Sequence, residues 1–249
     1  MIAGAAVRGS QALDLSIVIP VYNEEQRLPS ALALLTHYLD ASPLRADVLI
    51  VVNGSNDRTG EIALQAAATD ARFQVEQLAG RGKGLAVRTG MLRARGNVVM
   101  FCDVDFSMPI QELSGLYGVV AGGLDVALAS REVAGAHRIG EPPMRHLMGR
   151  VFNGLVRVLA LPGIQDTQCG FKAFRREVAR DVFARGRIDG WAFDVETLFI
   201  ARKRRYRLRE VPITWRYDES SRVHPVRDTI AMLRELLQIR WNALRGLYA

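Results

Sequence analysis

Two carboxylates one residue apart, Asp103 and Asp105, end the apolar run Val98-Val99-Met100-Phe101-Cys102 and are followed by Ser107 and Pro109. Close acidic oxygens at the end of a strand suit a hard divalent cation, which takes oxygen ligands and bridges diphosphate oxygens. The spacing leaves Mg²⁺ and Mn²⁺ equally open, and an isolated Asp-x-Asp also reads as a turn followed by a helix cap. Gly82-Lys83-Gly84 offers backbone amides and one ammonium to a phosphate. Its order is not the G-x-x-x-x-G-K-[ST] of a P-loop, and no G-x-G-x-x-G follows the first apolar run, which argues against an ATPase and a Rossmann dehydrogenase. Asp166, Asp194 and Glu196 are candidate bases for any reaction in which a hydroxyl must lose its proton; Asp166 and Asp194 equally fit turn and helix caps.

The elements that must carry these residues follow from periodicity. Leu15 to Val21 is a strand-length apolar run, then come Tyr22-Asn23-Glu24-Glu25 and a Leu28, Leu32, Leu35, Leu39 stripe at helical spacing. Asp47 to Val52 repeats the strand, with Asn53 to Asp57 as its turn and a helix from Thr59 through about Ala68. Phe73 to Leu78 is a weaker strand, and the glycine-lysine turn leads into a further helix. The strand ending at Asp103 precedes a helix near Ile110 to Val120, and Asp125 to Ala129 is another strand running into Ser130-Arg131. Strands alternating with helices predict a mainly parallel sheet covered on both faces, with ligands beyond the carboxyl ends of the strands, where all these polar turns fall.

The second part is less regular. Pro143 to Leu161 reads as a helix, Phe171 to Phe174 as a short strand, Asp194 to Arg204 as a helix, and Leu208 to Trp215 as an edge strand interrupted by Pro212. A last helix carries Val226, Ile230, Leu233, Leu237, Trp241, Leu244 and Tyr248 at spacings of three or four with arginines between them. That stripe predicts packing on the domain, or an interfacial helix with Trp241 at headgroup level.

The 249 residues are enough for one sizeable core. From Glu141 onward 21 Lys and Arg face 12 Asp and Glu, so the second part carries +9 of a net +7 and the first part −2. Phospholipid, nucleic acid or a phosphorylated substrate would each suit such a surface. Basic residues interleaved with stacking aromatics are missing, which argues against nucleic acid. Cys102 and Cys169 have neither metal-ligand spacing nor a disulfide framework and fit a reducing cytosol. No run approaches the roughly 20 apolar residues of a membrane span, and Met1 to Leu13 lacks the apolar stretch of a secretory signal.

Taken in order, several stretches together resemble one family. These are Ile17-Val18-Ile19-Pro20-Val21-Tyr22-Asn23-Glu24, the Val51 to Thr59 turn, Gly82-Lys83-Gly84-Leu85-Ala86-Val87-Arg88, Asp103-Val104-Asp105, and Asp166-Thr167-Gln168-Cys169-Gly170-Phe171-Lys172. Trp191-Ala192-Phe193-Asp194-Val195-Glu196 and Ser221-Arg222-Val223 extend the match, which runs from Leu15 to about Tyr248. The chain resembles family 2 glycosyltransferases of GT-A fold, and among them the catalytic domains that act on dolichyl and other polyprenyl phosphates.

The resemblance implies a flexible lead over 1–14, a GT-A domain over 15–225 and a C-terminal amphipathic helix over 226–249. It implies that Pro20, Tyr22, Glu24 and Asn53 line the nucleoside pocket, that Lys83 faces the donor phosphates, and that Asp103 lies near ribose and metal. Asp105 is then the main metal ligand, with Ser107 at a further ligand position, and Arg131, Arg145 and Arg222 approach acceptor or donor phosphates. Val52 stands where many members carry a base-recognising Asp, so Asn53 or a backbone group must substitute. The expected reaction moves a hexose from UDP-glucose or GDP-mannose to a polyprenyl phosphate with inversion, using Mg²⁺ or Mn²⁺, at the cytoplasmic face of a membrane. The alternative is a sugar or glycolipid hydroxyl acceptor with Asp166, Asp194 or Glu196 as base.

Overall fold

In a computed structural model, which describes residues 12–218 and 225–249, side chains of alternate parity along each central strand go to opposite faces of one sheet. Strands β1 (Leu15–Val21), β2 (Ala46–Asn53), β3 (Phe73–Leu78) and β4 (Val98–Phe101) are linked by helices α1 (Leu28–Ala41), α2 (Thr59–Thr69) and α3 (Lys83–Arg93). A 3-10 turn, Ile110–Glu112, leads into α4 (Leu113–Ala121) and β5 (Val126–Ser130). Then follow β6 (His137–Ile139), α5 (Pro143–Leu159), β7 (Lys172–Arg175), α6 (Arg176–Arg185) and α7 (Phe193–Lys203). The chain closes with β8 (Leu208–Pro212), β9 (Thr214–Arg216) and α8 (Pro225–Leu244).

The main sheet runs β3-β2-β1-β4-β7-β5-β8. Its left half is parallel, but β7 lies antiparallel to both β4 and β5, so the expected mainly parallel sheet holds with one reversed strand at its centre. That reversal decides the site, because the loop entering β7 comes back along the carboxyl edge of β4. Val18, Val51, Val99 and Phe101 point to one face, under α3, α6, α7 and the inner sides of α5 and α8. Ile17, Ile19, Ile50 and Met100 point to the other, under α1 and α4.

Three differences from the sequence reading have physical causes. The predicted edge strand 208–215 divides at Ile213: β8 pairs with β5 in the main sheet, whereas β9 pairs with β6 in a separate ribbon. Helix α6 went unread because five of its ten residues are charged, which masks its buried Val178, Ala179, Val182 and Phe183. In α8 the buried face is Met232, Leu236 and Ile239, with Asn242 and Tyr248 beyond. Of the apolar stripe read in the sequence, Leu233 packs against the core and Tyr248 is buried, whereas Ile230, Leu237, Trp241 and Leu244 are exposed, as the interfacial alternative expects. The helix has two apolar faces, and periodicity selected mainly the outer one.

Candidate active site

The turn after β4 builds the centre of the site. Cys102 still donates its amide to Val18, 3.0 Å away, and the chain leaves the sheet at Asp103. Phe106 then takes a left-handed backbone, φ 44°, unusual for a bulky side chain and anchored by its ring against Phe171. This turn lets the amide of Ser107 bond back to Asp105 Oδ1 at 3.0 Å and leaves Asp103, Asp105 and Ser107 lining one cleft of about 570 Å³.

Lys83, at the start of α3, reaches Asp103 Oδ1 at 2.6 Å and lies 5.5 Å from the Trp191 ring centre. Burial draws its ammonium down, but Asp103, Asp194 and Asp105 outweigh this and raise it above its ordinary value. Asp105 is pushed the other way for a carboxylate: burial first, then the negative charge of Asp103, raise it. A carboxylate whose ionisation is disfavoured by burial and by a neighbouring carboxylate fits a cation. Among the described residues no cluster of three or more His, Cys, Asp or Glu could hold a metal ion alone. Gly170, two residues before β7, lies against Asp103, and a Cβ there would collide with its carboxylate.

Behind this cluster lie two buried ion pairs. Asp166 is fully buried and takes four bonds: Arg131 Nε at 2.7 Å, its Nη2 at 2.9 Å, its amide at 3.0 Å, and the Gln168 amide at 3.3 Å. Burial pushes the carboxyl up, but the Arg131 guanidinium prevails and holds it at about 2. Lys172 is also fully buried and donates to Asp194 at 2.5 Å and to the Cys169 carbonyl at 2.7 Å. Burial leaves Asp194 raised despite Lys172, and Asp194 lines the cleft. Glu196 does not face the cleft; it accepts the amides of Arg187 and Ile188 at 2.8 and 2.9 Å and the Tyr248 hydroxyl at 2.5 Å. It thereby ties the chain's last turn to the 187–189 loop. That loop in turn holds Gly84 through the Asp189 carbonyl at 2.9 Å and α3 through the Arg88–Asp189 pair at 2.6 Å.

Of the residues singled out in the sequence, Lys83, Asp103, Asp105, Ser107, Arg131, Arg145, Asp166 and Asp194 line this one cleft. Arg131 lies over Trp215 and Arg145 over Tyr217, at 5.2 and 4.9 Å from the ring centres. Pro20, Tyr22, Glu24 and Asn53 group along the adjoining carboxyl edge of β1 and β2, outside the cleft. There the Glu24 amide bonds Thr59 Oγ1 at 2.7 Å, Asn53 Oδ1 accepts the Gly82 amide at 3.1 Å, and Arg81 lies 4.9 Å from the Tyr22 ring centre. Arg222 lies outside the described residues. Lys172, Glu132, Arg138 and Glu210 were missed as site residues. Glu210 holds the Asp166 amide and Ser130 Oγ at 2.9 and 2.8 Å, and Arg138 pairs with Glu132 and Glu141. A lysine among apolar neighbours in Gly170-Phe171-Lys172-Ala173-Phe174 was the one signal available.

A sheet of this order, with an Asp-x-Asp turn at the edge of β4 and a reversed strand bringing a second loop against it, defines the GT-A glycosyltransferase fold. A solved structure of glucosyl-3-phosphoglycerate synthase from Mycobacterium tuberculosis, with Mn²⁺, UDP and glucosyl-3-phosphoglycerate, superposes with a TM-score of 0.64. It is 18% identical, covering 92% of this chain and 78% of that one. The family model "Glycosyl transferase family 2" matches residues 16–183. The dolichyl-phosphate beta-glucosyltransferase of Drosophila melanogaster is 34% identical over 97% of this chain and 78% of its own length. The Homo sapiens protein of the same name is 32% identical over 95% and 78%. The chain belongs to glycosyltransferase family 2 and is a glycosyltransferase.

Proposed function

We propose that the protein transfers glucose from UDP-glucose to a polyprenyl phosphate, inverting the anomeric carbon, at the cytoplasmic face of a membrane. Glucose is preferred to mannose because the relatives are named glucosyltransferases, and UDP to GDP because a structural neighbour holds UDP. A phosphate acceptor is supported chiefly by one observation: Arg131 and Arg145 open into the same cleft as Asp103 and Asp105. Guanidinium groups bind phosphate oxygens through paired, charge-assisted bonds.

The base faces Tyr22 and Asn53, and the donor diphosphate lies between Lys83 and the Asp103–Asp105 turn. Asp103 and Asp105, with Ser107 beside them, would hold a divalent ion, which would supply positive charge to the leaving diphosphate. Arg145 draws the acceptor phosphate in, and Arg131, held rigid by Asp166, orients it towards the sugar. A phosphate oxygen is anionic at neutral pH and attacks without a general base; the work of the chain is positioning. This gives Asp166 a positioning role, in keeping with a carboxyl held at about 2 and bonded on both oxygens. Beta products, as in the relatives' names, are what single inverting displacement gives from an alpha-linked donor. The hydroxyl-acceptor reading keeps one support, Asp194, which lines the cleft with a raised carboxyl. No described helix is long and apolar enough to cross a membrane.

The test is a cross of donors and acceptors: labelled UDP-glucose or GDP-mannose, Mn²⁺ or Mg²⁺, with and without a polyprenyl phosphate, following label into organic solvent. Acid-labile lipid-linked glucose from UDP-glucose is expected. Label appearing instead on a sugar or glycolipid hydroxyl, and dependent on Asp194, would replace this reading with its rival.

A further inference from the structure

Ten of the fifteen large hydrophobic side chains exposed among the described residues lie on α5 and α8. On α5 they are Met144, Leu147, Met148, Val151, Leu155 and Val158, the last 85% exposed. At 100° per residue these positions span an arc of roughly 100°, while Phe152 and Val156 point inward. The helix therefore buries one apolar face and leaves a second one in water along its whole length. On α8 the exposed stripe of Ile230, Leu237, Trp241 and Leu244 is flanked by exposed arginines, Arg234 and Arg245 on one edge and Arg240 on the other. The two helices pack against each other.

From these faces we infer that α5 and α8 together form the seat of the protein on an anionic phospholipid bilayer, with the stripes inserted at the acyl boundary and the arginines at headgroup level. The inference rests on the lipid-acceptor reading for its purpose, although the surface is defined without it. Charge selects the occupant. Helix α5 contains Arg145, Arg150 and Arg157 and no acid. Along α8 the carboxylate of Glu235 is turned inward to the Ala192 amide at 2.8 Å. Two copies of such a face would repel, whereas an anionic leaflet attracts it. Position agrees: Met144, Arg145 and Met148 of α5 and Met232 of α8 form one wall of the active-site cleft. A phosphate at headgroup depth thus meets Arg145 first, with its chain left in the bilayer.

The full chain is floated with phosphatidylcholine vesicles with and without phosphatidylglycerol, beside the exposed-face variants V151E/V158E and L237E/L244E and the charge variant R234Q/R245Q. A second readout is transfer to a short-chain, water-soluble polyprenyl phosphate without vesicles. Wild type is expected to float with anionic vesicles, each glutamate pair to lose at least tenfold in bound fraction, and R234Q/R245Q to lose the preference for phosphatidylglycerol. Circular dichroism and short-chain transfer should stay at wild-type level in all three. Wild-type flotation by the glutamate pairs, or none by the parent, overturns the inference. So does a dimer that V151E/V158E dissociates while its vesicle binding persists, since the face would then belong to a second copy. Should either glutamate pair fail to fold, the charge variant decides alone. Failure of short-chain transfer in every protein, with flotation intact, would instead refute the acceptor reading and leave the seat standing.

Discussion

Replacing Arg131 with alanine would remove the counter-charge from a carboxylate buried beneath it. Asp166 has a fully buried side chain, and the Arg131 guanidinium supplies two of its four hydrogen bonds and its closest compensating charge. Removing one partner of a buried, hydrogen-bonded pair costs about 3–5 kcal/mol. Ionisation gives a second route to the magnitude. The carboxyl is held at about 2, against an ordinary value of 3.8, and at 1.36 kcal/mol per unit this contributes roughly 2 kcal/mol at neutral pH. A carboxyl lowered in the folded state stabilises above its unfolded value, and that stability is lost as pH falls from about 4 towards 2. Arg131→Ala should therefore lower the urea unfolding free energy by about 3 kcal/mol or more at pH 7. For a chain of this size that is a fall in Tm of roughly 6–20 °C. Its deficit should shrink as pH falls, because burial without the guanidinium raises the Asp166 carboxyl of the variant, which then takes up its proton at a higher pH than in wild type. The double variant R131A/D166A should recover part of the loss, because the uncompensated charge is gone. Urea and thermal unfolding of the four proteins from pH 3 to 8 provide the assay. Arg131→Ala within about 0.5 kcal/mol of wild type at pH 7, or strictly additive single effects, would refute the claim that this pair holds the loop before β7.

Asp105→Asn should lower turnover at least 100-fold at saturating Mn²⁺ or Mg²⁺ while leaving unfolding stability equal or slightly improved, since burial and Asp103 already strain the native carboxylate; turnover and thermal melts measure both. Glu196→Gln should keep kcat within about threefold and leave the pH–rate profile unchanged, because Glu196 holds amides and a hydroxyl outside the cleft. Loss of the acidic limb in Asp194→Asn, with a phosphate acceptor, would reinstate a base. Tyr248→Phe removes the 2.5 Å bond to Glu196 and should cost about 1–3 kcal/mol. Burial already raises the Glu196 carboxyl. Losing its donor raises it further, so the deficit should widen as pH climbs through its titration and narrow in acid; melts from pH 4 to 8 follow it.

The sequence by itself determined the strands of the parallel half and the turns at their carboxyl edge. There each apolar run is local, its alternation is fixed by the two faces of a buried sheet, and each polar turn follows directly in the chain. Lys83, Asp103 and Asp105 stood out as short polar runs in turns, Arg131 and Arg145 only through the family resemblance, and the structure brings all five to one cleft. Their partners were not legible. That Arg131 is clamped by Asp166 depends on β7 running back between β4 and β5, which brings residues 35 apart into contact. The antiparallel insertion leaves no trace in hydrophobic period, because Lys172–Arg175 is only four residues long and one of its buried members is a lysine. The assignment of faces on α8 was likewise tertiary. A helix apolar on two sides presents two valid stripes, and only the packing of Met232, Leu236 and Ile239 against the domain decides which of them is left facing outward.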